Sequence, residues 1–111
     1  MGLRRTYKVC TFGMASIRFE WDPRKAAANL HKHGISFSEA ETAFYDDYAA
    51  ISDDPDHSED EERFLLLGMS GALRVLLVVH AVREAGSVIR LISARKATRS
   101  ERAQYDARWK R

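Results

Sequence analysis

Three apolar runs dominate the second half of the chain: Arg63-Phe-Leu-Leu-Leu-Gly-Met69, Leu73-Arg-Val-Leu-Leu-Val-Val-His-Ala-Val82 and Val88 to Arg95. Each has the length and the β-branched, aliphatic content of a strand, and only short turn-forming stretches around Ser70-Gly71 and Glu84-Ala-Gly86 separate them. Strands joined in this way form an antiparallel meander. The middle run is apolar on both faces, as a strand inside a sheet must be, with Arg74 and His80 as its main polar interruptions.

The residues before the meander supply what covers it. Ile17-Arg-Phe-Glu-Trp21 alternates apolar and charged residues and predicts a half-buried first strand. Asp22-Pro23 opens a helix, with Asp as the cap and Pro at the first position, where its missing N–H is not needed. That helix runs to about His33 and stops at Gly34, leaving Arg24, Lys25 and Lys32 exposed. Ser36-Phe-Ser-Glu39 is a capping box that starts a second helix, with Ile35 placed to staple onto Ala40. Phe37, Ala40, Phe44 and Tyr48 lie near helical spacing and read as core. Ala49-Ala-Ile-Ser52 predicts a short strand ahead of an acidic loop. Thr98 and Glu101 form another capping box, opening a last helix from Arg99 to about Lys110 that docks Tyr105 or Trp109 on the sheet. The expected fold is α+β: a small antiparallel sheet with two N-terminal helices packed on it and a C-terminal helix.

A chain of 111 residues makes one domain around one core. Residues 1–15 contain Arg4, Arg5 and Lys8 without the apolar stretch of a secretion signal, so they read as a loosely attached leader or an upstream start before Met14. Residues 16–111 form the domain. A single cysteine, Cys10, excludes an internal disulfide and a cysteine-based zinc site, and the cytoplasm is the expected compartment. No apolar run is long enough for a membrane span. The formal charge of +2 conceals a separation: eleven acidic residues and no Lys or Arg from Glu39 to Glu62, then eight basic residues against two acidic ones from Arg90 to Arg111. A basic end of this kind suits nucleic acid.

The basic end is densest where the third strand of the meander meets the last helix. Arg95, Lys96 and Arg99 crowd the start of a helix, where the backbone dipole disfavours cations by roughly 0.3 to 1 kcal/mol each. Two readings fit this cluster: a phosphate site built from guanidiniums and helix amides, or charges paired with Glu101 and other carboxylates.

The chain contains Phe19-Glu-Trp-Asp-Pro23, Lys25-Ala26 with Asn29, Lys32-His-Gly-Ile-Ser-Phe37, Glu39-Ala40, the His57 loop running into Glu62-Arg63, and Ile89-Arg-Leu-Ile-Ser-Ala-Arg95 with Ala97, Glu101-Arg102 and Tyr105. In their order and spacing these stretches resemble the BrnT family, ribonuclease toxins of bacterial type II toxin–antitoxin systems with a RelE-like fold. The resemblance implies RNA cleavage without a metal or other cofactor, arrest of translation, and neutralisation by a BrnA-type antitoxin. RNA, free or on the ribosome, would be the substrate; operator DNA would be met only through the antitoxin, and no membrane would be involved.

Metal-free cleavage of RNA needs activation of the 2′-hydroxyl, neutralisation of charge on the phosphorane and protonation of the departing 5′-oxygen. Arginines suit the second task, being always charged and presenting a planar fork, and the candidates are Arg63, Arg95 and Arg99. For proton transfer the candidates are His57 and Tyr105, with Glu62, His80 and Glu101 in support. Lys25, Lys96 and Arg102 are candidate RNA contacts. Each has an ordinary alternative: His57 as a salt-paired loop residue, His80 as a core histidine, Tyr105 as packing, Lys25 as a solvated lysine. His31 and His33, two apart on a helix, face different ways and do not share a metal. The competing function is a module that binds nucleic acid or antitoxin through the same basic face without cutting.

Overall fold

A computed structural model describes residues 17–55 and 62–109. The elements follow as β1 (Arg18–Glu20), α1 (Pro23–His33), α2 (Phe37–Thr42), β2 (Ala50–Asp53), β3 (Arg63–Met69), β4 (Val75–Arg83), β5 (Val88–Lys96) and α3 (Arg99–Trp109). Single 3₁₀ turns at Ala43–Tyr45 and Glu84–Gly86 complete them. The expected leader lies outside the described residues. Among those described, no helix is long and apolar enough to cross a membrane.

The helix signals act as read for α1. Asp22 accepts from Arg24 N at 2.8 Å, and Gly34 ends the helix at φ 73°, a left-handed conformation that costs glycine nothing. The α2 signal is only half a capping box. Ser36 Oγ accepts from Glu39 N at 3.0 Å, but the Glu39 carboxylate turns away to Ser70 Oγ, at 2.7 Å, and to both ends of the Arg74 guanidinium. A charged fork outcompetes a backbone amide for that carboxylate. α2 is also short, so Tyr48 falls beyond it and is exposed, not core.

β2, β3, β4 and β5 pair antiparallel in sequence order, and β3-β4-β5 is the expected meander. The sheet as a whole is mixed, which corrects the antiparallel expectation: β1 lies parallel to β5, Phe19 opposite Ile89. Alternation in 17–21 identified a strand but carried no information about a partner seventy residues away. On the β1 side no strand among the described residues flanks β5 beyond Arg90, and the Asn29 side chain stands in for one. Its Nδ2 donates to Ala94 O and Ile35 O, both at 2.9 Å, and its Oδ1 accepts from Ala94 N at 3.1 Å. A buried amide with these partners fixes α1 against β5.

The helices divide between the two faces of the sheet. Ile35, Phe37, Ala40 and Phe44 press onto Leu66, Leu76, Val78, Leu91 and Ala94 on one face. Closeness there is set by Gly68, where a Cβ would stand 3.0 Å from Ala43 O. On the other face α3 packs Tyr105 against Leu67 and Val75. The Tyr105 hydroxyl donates to Asp46 Oδ2 at 2.6 Å, the oxygen that also accepts from Met69 N at 2.8 Å. Arg108 adds a bond from Nε to Tyr48 O at 2.9 Å. α3 is thus tied across one end of its face, leaving the rest open.

Candidate functional site

The open part of the α3 face is bounded by side chains that a strictly alternating β5 would not have put there. Ile89 and Leu91 point into the helix-covered core, and unbroken alternation would send Ser93 and Arg95 after them. Instead the register shifts at Val79/His80: His80 pairs with Leu91 and Val79 with Ser93, leaving Ile92 as a bulge. One extra residue flips everything that follows. Ala94 enters the core, and Arg95 emerges on the α3 face beside Leu77.

Arg95 is held there rigidly. Its Nη1 and Nη2 donate to Glu101 Oε1 and Oε2 at 2.9 and 3.0 Å, and Nη1 donates again to Lys96 O at 3.2 Å. Glu101 also accepts from Thr98 N at 2.9 Å while Thr98 Oγ1 accepts from Glu101 N at 3.1 Å, the complete capping box. The hydrogen bonds from Arg95 hold the Glu101 carboxyl below the usual carboxylate range, and the same bonds raise Arg95 further. Among the described residues three of the five guanidinium N–H groups are therefore used, and the two left are the parallel pair on Nε and Nη2. That pair is a second fork, the arrangement that holds two oxygens of one phosphate.

Arg63 shares this face, with Ala81, 1% exposed, opposite it on β4 and Arg90 beyond. Arg90 is occupied by Glu20 at 3.3 Å. Arg63 is not: its Nε is buried and has no acceptor among the described residues. A buried donor of this kind costs roughly 1 to 3 kcal/mol unless something accepts from it. Arg63 lines a small cleft of about 160 Å³ with Asp53, Glu62 and Phe64. Between this cleft and Glu101 runs a groove of about 380 Å³ floored by Leu65, Leu67 and Leu77 with Ser52 and Gln104 at its sides. Arg63 lies four residues and two strands from Arg95, roughly 16 Å between Cα atoms at ordinary sheet spacings. The face spans more than one nucleotide, with an arginine at each diagonal corner.

The other candidates distribute as follows. His57 lies outside the described residues. Glu62 is exposed beside Arg63. His80 is on the opposite face, 1% exposed, with Phe44 and Phe64 rings 4.8 and 6.0 Å away, and burial lowers its pKa to about 4. Tyr105 is 2% exposed, bound to Asp46, and burial pushes its hydroxyl well up. Arg99, Lys96 and Arg102 line a different groove, with Leu73 and Arg74, on the far side of α3 from the open face. Lys96 follows Arg95 in a strand and so points the other way; Arg102 reaches Asp106 at 3.3 Å. The dense basic junction is thus split in two. Lys25 is exposed on α1. Ser93, Ser52 and Gln104 on the open face gave no sequence signal, since isolated small polar residues occur in every strand and helix. Among the described residues no group of three or more His, Cys, Asp or Glu could hold a metal ion.

Residues 21–101 match the family model described as the ribonuclease toxin BrnT of type II toxin–antitoxin systems. The fold is similar to the crystal structure of the Brucella abortus ribonuclease toxin BrnT, with a TM-score of 0.53 and 22% identity over 78% of this chain and 100% of that one. Among curated proteins none matches. The family match takes in α1 to the start of α3, including Arg63, Arg95 and Glu101, and on it the chain belongs to the BrnT family of ribonuclease toxins of type II toxin–antitoxin systems.

Proposed function

We propose that this chain cuts RNA on the open α3 face of its sheet without a metal ion, that the cut stops translation, and that a BrnA-type antitoxin neutralises it. Family membership supports an endoribonuclease with an antitoxin partner. The observation that supports the location is Arg95, immobilised by Glu101 with a second fork left over, across a groove from the unpartnered Nε of Arg63. The arrangement of sheet and helices fits a RelE-like toxin.

In the reaction the 2′-oxygen attacks phosphorus, the bond to the 5′-oxygen breaks, and the products carry a 2′,3′-cyclic phosphate and a 5′-hydroxyl. Arg95 binds the non-bridging oxygens through Nε and Nη2, which strengthens as charge builds on them and is worth a few kcal/mol. Glu101, kept anionic by Arg95, acts as the positioning residue for that guanidinium. Arg63 holds a second phosphate. The 2′-proton passes to water in the open groove and the 5′-oxygen takes its proton from water, with His57 as the side-chain candidate for either transfer; Glu62, beside Arg63 at the opposite corner of the face, is out of reach of a phosphate at Arg95. Tyr105, its hydroxyl committed to Asp46, serves packing. Arg99, Lys96 and Arg102 contact RNA outside the reacting phosphate. Operator DNA is met only through the antitoxin.

The test is turnover. The purified chain, freed of any antitoxin, is incubated with labelled RNA in excess EDTA, and with ribosomes programmed with message in a parallel arm. Many cuts per protein molecule, with 2′,3′-cyclic phosphate ends and a rate unchanged by EDTA, is the expected result. RNA bound one to one and left intact in both arms would make the chain a binding module; cleavage abolished by EDTA would refute the metal-free reaction.

A further inference from the structure

The open face has a basic margin that the reacting groups do not use. α1 lies along the edge of β5 that, among the described residues, β1 leaves open beyond Arg90, and between them is a groove of about 240 Å³ that includes Lys25, Asn29, Lys32, His33, Ile92 and Ser93. Lys25 and Lys32 are seven residues apart, two turns of helix, so they stand on the same side of α1 about 10 Å from each other. Both are exposed, neither is in an ion pair among the described residues, and the groove has no acidic lining residue. Lys25 stands in the first turn of α1, where the Asp22 carboxylate is already committed to capping the helix through Arg24 N.

The groove borders the strand that carries the proposed site. Ser93 lines it and, through the β5 bulge, shares the side of the strand that carries Arg95 two residues later. Ile92, the bulged residue, forms the apolar part of its wall. The position of the two lysines relative to that face is fixed, since Asn29 lies between them on α1 and is bound in both directions to Ala94, the neighbour of Arg95. A solvated lysine pair on a loosely packed helix would have none of these constraints.

We infer that the α1–β5 groove is a second binding subsite for the RNA substrate, in which Lys25 and Lys32 take two backbone phosphates of the single strand whose scissile phosphate sits at Arg95. This rests on the function proposed above and extends it. The occupant is RNA because the cations are spaced along a track, with the Ser93 hydroxyl beside it, that borders the cleaving face. Phosphate contacts by lysine position a strand without reading its sequence. The subsite therefore governs how tightly RNA is held and where its chain enters, while the chemical step stays with the arginines.

The test compares the wild type, Lys25→Ala/Lys32→Ala, and Arg24→Ala as a control for loss of an exposed α1 cation outside the groove. Binding of a 2′-O-methyl RNA oligonucleotide, which cannot be cut, is measured over a series of salt concentrations, alongside kcat and KM on cleavable RNA. The expected result for the double variant is a Kd raised about tenfold or more, a KM raised in parallel and kcat within about twofold of wild type. The salt slope should fall by about 1.4, two phosphate contacts on a single strand at roughly 0.7 each. Arg24→Ala should leave all four quantities unchanged, and thermal melts check that each variant folds. An unchanged Kd and salt slope in the double variant, with the wild type still cutting RNA, would overturn the subsite and leave the ribonuclease reading intact. Weakened antitoxin binding with RNA binding unchanged would overturn it in favour of a protein-docking groove. A wild type that neither binds nor cuts RNA would instead remove the function on which the subsite rests.

Discussion

Arg95 and Glu101 show how one pair can be read in two ways and satisfy both. The sequence left open whether the cations at the β5–α3 junction await a phosphate or are paired; Arg95 is paired, but only through one edge of its guanidinium. Residue types and spacing revealed the capping box and the nearby arginine, but not that one carboxylate would serve both. Glu101→Gln keeps the shape and a neutral acceptor while removing the charge that holds the fork. It should lower kcat by about tenfold, with a fold loss of about 1 kcal/mol from the weakened pair and cap, measured by single-turnover cleavage and thermal melting. Tyr105 separates differently. Tyr105→Phe leaves the ring on Leu67 and Val75 and deletes the hydroxyl that serves Asp46. The expected cost is about 1 to 2 kcal/mol of stability, read from a urea melt, with the cleavage rate of the folded fraction unchanged; a rate loss of a hundredfold in folded protein would return Tyr105 to the chemistry.

At the scale of elements, local signals were legible and long-range ones were not. Asp22-Pro23, Gly34 and Thr98-Glu101 placed helix ends because caps act within four residues of where they stand. The meander followed from short turns. What was hidden depends on tertiary partners: the parallel pairing of β1, the capture of Glu39 by Arg74, and the bulge at Ile92. The bulge matters most for the site, because period-two reading of β5 puts Arg95 on the face of Leu91, inside the core. Packing of the 3₁₀ turn onto β3 has a single tight point at Gly68. Gly68→Ala must push a Cβ into Ala43 O and should destabilise by about 1 to 3 kcal/mol, seen as a lower urea midpoint with an unchanged slope.

Over the whole molecule, the sheet separates the buried chemistry of the core from the exposed chemistry of the open face. His80 belongs to the first. Its imidazole stays neutral in the fold down to about pH 4, whereas in the unfolded chain it takes a proton near its ordinary value of 6.5. Between these two values the unfolded state binds more protons, so stability from this group is fully present above pH 6.5 and is lost as the pH falls, by roughly 3 kcal/mol in all. His80→Leu should shift the acid-unfolding midpoint, followed by circular dichroism, to lower pH. The open face belongs to the second: the proposed seat of the reacting phosphate is there, at Arg95, and not in the groove of Arg99, Lys96 and Arg102 across α3. Single-turnover cleavage at saturating protein separates the two directly, using Arg95→Ala and Arg99→Ala chains whose folding has been checked by thermal melting. The expected rate is lower by about a hundredfold to a thousandfold for Arg95→Ala and within about threefold of wild type for Arg99→Ala. A folded Arg95→Ala chain that cleaves at the wild-type rate, or a collapse of the rate in Arg99→Ala alone, would contradict it.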